Sequence, residues 1–179
     1  MRDALPHAAH RAGVAFHPQR ALVIGVGNAY RRDDAAGLVA GRRLAAAAAG
    51  RVTVREASGE GAGLLDAWEG AGLVILIDAV HSGARAGTVR RVDARAEAVP
   101  AGFFRYSTHA FGVAEAVELG RALGRLPDRL IVFGIEGKDF TAGVGLSPAV
   151  ERGVARVVRR ALAEIDADAA RRGPRPQEG

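Results

Sequence analysis

ALVIGVGNAYRRDDAAG, residues Ala21 to Gly37, joins an apolar strand, a glycine turn carrying Asn28, and two adjacent acids. Leu22-Val23-Ile24 reads as a buried strand, and Gly25-x-Gly27 lets the backbone approach a neighbour closely where that strand ends. Asp33 and Asp34 then stand at the entrance of an alanine-rich segment with high helix propensity. Carboxylates at that point serve either the positive end of a helix dipole or a metal ion, and the function turns on which.

Outward from this stretch the chain alternates strand and helix. Ala35–Ala49 is expected as a helix, Val52–Glu56 as a second strand, and a short helix falls near Gly63–Trp68. Leu73–Ile77 is a continuous apolar run closed by Asp78, the pattern of a central strand covered on both faces. Thr88–Val92 reads as a hairpin partner or edge strand, Phe111–Leu123 as a helix, and Leu130–Ile135 as the last apolar strand. Ser147-Pro148 supplies an N-cap and a first-turn proline. Val150, Val154, Val157, Val158, Ala161, Leu162 and Ile165 trace one face of a closing helix. The succession predicts an α/β three-layer sandwich around a mainly parallel, about five-stranded twisted sheet flanked by helices. Residues 1–20 are expected as a flexible leader, 21–165 as the single folded domain, and 166–179 as a helix end with a disordered tail from Arg171.

Composition removes several classes. At 179 residues the chain suits one domain with a sizeable core. Its net charge of +5 comes from 25 cations, all but one of them arginine, dispersed among 20 acids. No basic block or aromatic interleaving supports nucleic-acid binding. There is no cysteine, which excludes disulfides, thiolate ligands and cysteine nucleophiles. No run approaches the roughly 18 apolar residues of a membrane span, so a cytoplasmic protein with no membrane partner is the expectation. The sequence lacks a G-x-S-x-G elbow and an H-E-x-x-H helix, and its sole lysine, Lys138, is followed by Asp139, so there is no Walker A loop. A dinucleotide fingerprint would need a third glycine where Tyr30 stands.

In such a sheet, ligands bind beyond the carboxyl ends of the strands. Asp33 and Asp34 follow the first strand, Glu56 ends the second, and Asp78 ends the central one, so all converge on one edge. His109, in Tyr106-Ser107-Thr108-His109 just before a helix, can face the same cleft, and His81 competes with it. Two carboxylates and an imidazole make a hard-to-borderline divalent site suited to nickel, zinc, manganese or iron. Each also has a structural reading: Asp34 as a dipole complement, His109 as a cap or core histidine, Glu56 and Glu60 as surface acids beside a glycine turn.

The ordered set of motifs resembles the hydrogenase maturation endopeptidases. It comprises Gly25-Val26-Gly27-Asn28 with Asp33-Asp34-x-x-Gly37, Ile77-Asp78-Ala79-Val80 with Ser82-Gly83 and Gly87-Thr88, and Ser107-Thr108-His109. Gly134-Ile135-Glu136 and Gly145-Leu146-Ser147-Pro148 extend the likeness over residues 21–165. The resemblance implies a cytoplasmic protease that removes a C-terminal extension from the precursor of a nickel-iron hydrogenase large subunit, with nickel supplied by that precursor. It implies a metal-binding triad of Asp34, Asp78 and His109, and it leaves Asp33 to the turn or helix entrance. Where many relatives carry Asp-Gly-Gly after the second strand, this chain has Glu56-Ala57-Ser58-Gly59-Glu60-Gly61, which passes any acid role there to Glu56 or Glu60. Gly-Ile-Glu-Gly replaces the commoner Gly-Ile-Glu-Pro, suggesting a subgroup with its own hydrogenase.

Two mechanisms stay open. In one, the triad completes the coordination of substrate-held nickel as a recognition device. In the other, the metal polarises the peptide carbonyl or activates water, with Glu56 as base. The alternatives to a protease are a non-catalytic nickel-recognition or chaperone-like module on the same fold and a nucleotide-binding domain. A monomer is expected, since the core accounts for the apolar stripes.

Overall fold

The three apolar runs become the inner strands of one sheet in the computed structural model, which describes residues 21–100 and 112–173. Strands β1 (Ala21–Val26), β2 (Val52–Ala57), β3 (Leu73–Val80), β4 (Val89–Asp93) and β5 (Arg129–Glu136) take the spatial order β2-β1-β3-β5-β4. Neighbours pair in parallel except β4, which runs antiparallel to β5. Thr88–Val92 of the sequence reading is therefore an edge strand, not a hairpin with β3, and Arg90 and Arg91 are exposed along it. Charged side chains on an edge discourage pairing with another chain. β1 and β3 are buried throughout, as parallel strands covered on both faces must be.

Strand alternation sorts the core into two layers. Val23, Ile75, Ile77, Ile131 and Phe133 meet helices α1 (Ala36–Ala47) and α4 (Pro148–Arg172) through Ala40, Leu44, Val150, Val154, Val157 and Ile165. Leu22, Ile24, Leu76, Leu130 and Val132 meet α2 (Gly61–Ala67) and α3 (Val113–Ala122) through Leu64, Leu65, Val113 and Val117, with Trp68 behind α2. Each fully buried large aliphatic contributes roughly 1.5–3 kcal/mol, so these two faces, more than helix propensity, hold the helices in place. The result is the three-layer sandwich expected from periodicity.

Four local expectations change. Asp78 does not close β3 but lies inside it, because Asp78, Ala79 and Val80 pair with Gly134, Ile135 and Glu136. The predicted Ala35–Ala49 helix is preceded by a single 3₁₀ turn, Arg32–Ala35, and ends earlier where Ala49 and Gly50 turn to positive φ. The closing helix runs on through Arg171 and Arg172, read above as tail, to Gly173 at φ 74. Ser147 holds the N-cap position but makes no side-chain cap bond, and its N–H serves Asp33 instead. Residues 1–20, expected as a leader, the expected helix start at Phe111, and residues 174–179 lie outside the described residues.

Candidate active site at the carboxyl ends of the strands

Glycines decide how closely the elements around Asp34 and Asp78 meet. A Cβ on Gly37 would stand 2.2 Å from the carbonyl oxygen of Ile77 and 2.3 Å from that of Val26, distances no real side chain tolerates. A Cβ on Gly25 would stand 2.5 Å from the oxygen of Gly37, and one on Gly27, at φ 143, 1.9 Å from the oxygen of Asp34. The first turn of α1 thus rests backbone to backbone on the ends of β1 and β3. The Gly25-x-Gly27 turn read from the sequence as a route for close approach admits a helix. Asn28 shapes the same turn by accepting the Tyr30 N–H at 2.9 Å.

This contact brings Asp34 beside Asp78. Asp78 is 8% exposed, and one of its carboxylate oxygens accepts the Ala79 N–H at 2.7 Å. Across the ladder its partner is Gly134, which presents no side chain. Burial, and then the charge of Asp34, push the Asp78 carboxyl up to about 8, against the relief given by the Ala79 N–H. Asp34 is half-buried, and its burial also raises its carboxyl above the usual range, opposed by the Arg31 guanidinium and the Asn28 N–H. At neutral pH Asp78 therefore favours its protonated form, with the charge of Asp34 opposing loss of that proton. Such a pair offers a proton donor beside an acceptor, or two oxygen ligands whose mutual repulsion a divalent cation would relieve.

The other predicted residues fall elsewhere. Glu56 is exposed and turned to Arg42, whose Nε and Nη2 donate to its two oxygens at 2.6 and 2.9 Å. That partner holds the Glu56 carboxyl below the ordinary range. Glu60 is exposed at the N-cap of α2 and makes no cap bond. His81 packs edge-on against Phe140, with ring centroids 5.8 Å apart. Phe140 belongs to the α1/α4 layer. Asp78, alternating with Leu76 and Val80, faces the α2/α3 layer. His109 lies outside the described residues. Among the described residues no third acid or histidine joins Asp34 and Asp78 in a metal-holding group.

Two further acids organise this edge. Glu136, 2% exposed, accepts the N–H groups of Ser82 and Gly83 and the Ser82 hydroxyl at 2.8–3.1 Å, bracing the turn that follows β3. It closes an apolar run just as Asp78 does, which is the signal by which it was open to discovery. Asp33 is completely buried and accepts the N–H groups of Lys138 and Asp139 at 2.9 Å and of Ser147 at 2.6 Å. Asp33, expected to serve the turn or the helix entrance, makes no cap bond there, and its side-chain bonds go to the loop between β5 and α4.

Comparison with known proteins places the arrangement. A family model described as hydrogenase maturation protease matches residues 41–164. The hydrogenase expression/formation protein HupD of Rhodobacter capsulatus is 32% identical over 160 residues, covering 86% of this chain and 74% of that protein. Among solved structures, the [NiFe] hydrogenase maturation protease HybD from Thermococcus kodakarensis aligns with a TM-score of 0.67 at 30% identity, over 82% of this chain and 99% of the other. The hydrogenase maturating endopeptidase HybD of E. coli aligns at 0.68 with 26% identity, over 84% and 94%. No helix among the described residues is long and apolar enough to cross a membrane. The fold, the sequence match and the ordered motifs agree: this chain belongs to the hydrogenase maturation protease family, and its role is that of an endopeptidase in hydrogenase maturation.

Proposed function

We propose that this chain removes a C-terminal extension from the nickel-loaded precursor of a nickel-iron hydrogenase large subunit, with Asp34, Asp78 and His109 engaging the metal that the precursor carries. The observation that carries this reading is the Asp34–Asp78 pair, in which the charge on Asp34 works against ionisation of its neighbour. A divalent cation at that point takes the place of the proton and lets both carboxylates ionise. The face of the sheet supports His109 over His81 as third member: Asp78 shares its layer with α3, which His109 precedes in sequence, whereas His81 packs with Phe140. The chain's own residues bind and orient the precursor's metal and so align the neighbouring peptide bond. Glu56 is a poor base, because Arg42 occupies both of its oxygens and favours its ionised, weakly basic form.

The test mixes the purified protein with nickel-loaded and nickel-free large-subunit precursor and weighs the products by mass spectrometry. Loss of a C-terminal peptide from the nickel-loaded form alone is expected. Tight binding without cleavage of any matched precursor would replace the protease by the chaperone-like reading. Cleavage of nickel-free precursor on adding a free divalent ion would favour a Lewis-acid role over recognition.

A further inference from the structure

Asp33 is the most deeply buried acid on this edge, and neither capping nor the metal accounts for it. No side-chain cap bond is made at the start of the 3₁₀ turn or of α1. Its carboxylate instead reaches across to the loop between β5 and α4. Oδ2 accepts from Lys138 and Asp139, and Oδ1 from Ser147, three charge-assisted bonds from one side chain.

The main chain repeats the link. Asp33 N–H donates to the Asp139 carbonyl and Arg32 N–H to that of Gly143, both at 3.0 Å, while Gly143 N–H donates to the Tyr30 carbonyl at 2.8 Å. Arg31 Nε adds a bond to the Phe140 carbonyl at 3.3 Å, and Arg32 pairs with Asp139 at 3.3 Å. Within this stitch Arg32 sits at φ 46, a left-handed conformation that a non-glycine residue keeps only where its surroundings over-determine it. The residue after Asp33 is Asp34, so the stitch sets the direction in which the Asp34 side chain leaves the backbone.

We propose that Asp33 is a positioning residue acting through Asp34: its buried carboxylate, bonded to three N–H groups of the 137–147 loop, locks the turn that aims Asp34 at Asp78. The inference rests on the processing reading above. An asparagine in its place offers a single acceptor oxygen and turns an NH₂ group toward one side of the donor set, loosening the lock at nearly constant volume.

Two variants test it in precursor processing, each assayed where far-UV circular dichroism shows it fully folded. Asp33→Asn loosens the lock directly. Gly143→Ala strains the same stitch from the loop side, since its φ is 143 and a Cβ would press within 3.1 Å of the Arg32 guanidinium. Misdirecting a metal-engaging carboxylate predicts kcat lower by roughly tenfold or more in both, with KM within about twofold. Folded Asp33→Asn with kcat within about twofold of the unaltered protein overturns the proposal, as does a rise in KM alone; a purely structural acid shifts only the melting temperature. Should Asp33→Asn fail to fold, the kcat of Gly143→Ala decides alone. If the unaltered protein processes no matched precursor, the functional reading falls and the positioning role with it, an outcome distinct from unaltered and variant proteins that process equally.

Discussion

Asp168 at the amino end of the sheet and Asp78 at the carboxyl end are buried on opposite terms. At the amino end, Asp168 is 8% exposed and meets Arg129 at 3.2 Å and Arg172 at 2.8 Å. Glu164 beside it meets Arg91 at 2.7 Å and Arg129 at 2.8 Å. Burial works against Glu164, yet the bonds from Arg91 and Arg129 outweigh it and hold the carboxyl below its usual range. Asp168, Arg129 and Arg172 border an open cleft of about 660 Å³ that Trp68, Arg125 and Arg171 also line. At the carboxyl end, Asp78 faces another acid and is pushed up to about 8. Opposite charges tie α4 to the strand starts and finish a structure. Like charges leave a demand that the fold itself does not meet, and that difference separates a brace from a site.

Breaking the contrast at its active side gives the largest effect. Asp78→Asn keeps the side chain's size and its Ala79 contact but removes the ligand charge, and processing of nickel-loaded precursor should fall by at least about 10²-fold in a single-turnover assay. Activity within a few-fold of the unaltered protein would sever Asp78 from the chemistry.

Next comes pH. Between about 4 and 8 the folded protein keeps the Asp78 proton while the unfolded chain has lost it. The unfolded state therefore binds fewer protons, and stability declines as pH rises through that window, levelling off above it. Asp78→Asn removes this slope, so its urea midpoint at pH 8 should exceed that of the unaltered protein. Equal slopes for both proteins across the window would refute the burial of an acid at this position.

At the amino end, Asp168→Ala leaves two arginines short of a partner and should cost about 2 kcal/mol in urea denaturation, with kcat unchanged in the folded protein. A processing defect there would erase the distinction between the two ends. The smallest effect belongs to the exposed pair of Arg43 with Glu151 at 2.8 Å: Glu151→Gln should move stability by no more than about 0.5 kcal/mol.

Much of this was legible in advance because apolar periodicity reports burial directly. The runs at Leu22, Leu73 and Leu130 are the inner strands, and the valines of α4 from Val150 to Val157 are its buried face. Asp34 and Asp78 were legible as residues near strand ends, and the structure brings them together. Glu56 had the same credentials, an acid where a strand ends, but its fate depended on Arg42 fourteen positions earlier, on a different element. Glu136 was overlooked as a site-building residue because its bonds to Ser82 and Gly83 join segments more than fifty positions apart. Local spacing places Asp33 at the turn before α1, but its partners at 138, 139 and 147 lie more than a hundred positions away and cannot be inferred from it.

The sequence by itself determined the sandwich, the order of its elements and the edge where chemistry belongs, since hydrophobic periodicity and glycine placement are properties of neighbouring residues. Only the tertiary structure decided which acids face a cation and which face each other. That choice depends on the few ångströms between the first turn of α1 and the ends of β1 and β3, a separation set by Gly25, Gly27 and Gly37 acting together. Coulombic coupling in a buried place changes steeply over such distances, so the character of Asp78 became readable when its neighbour did.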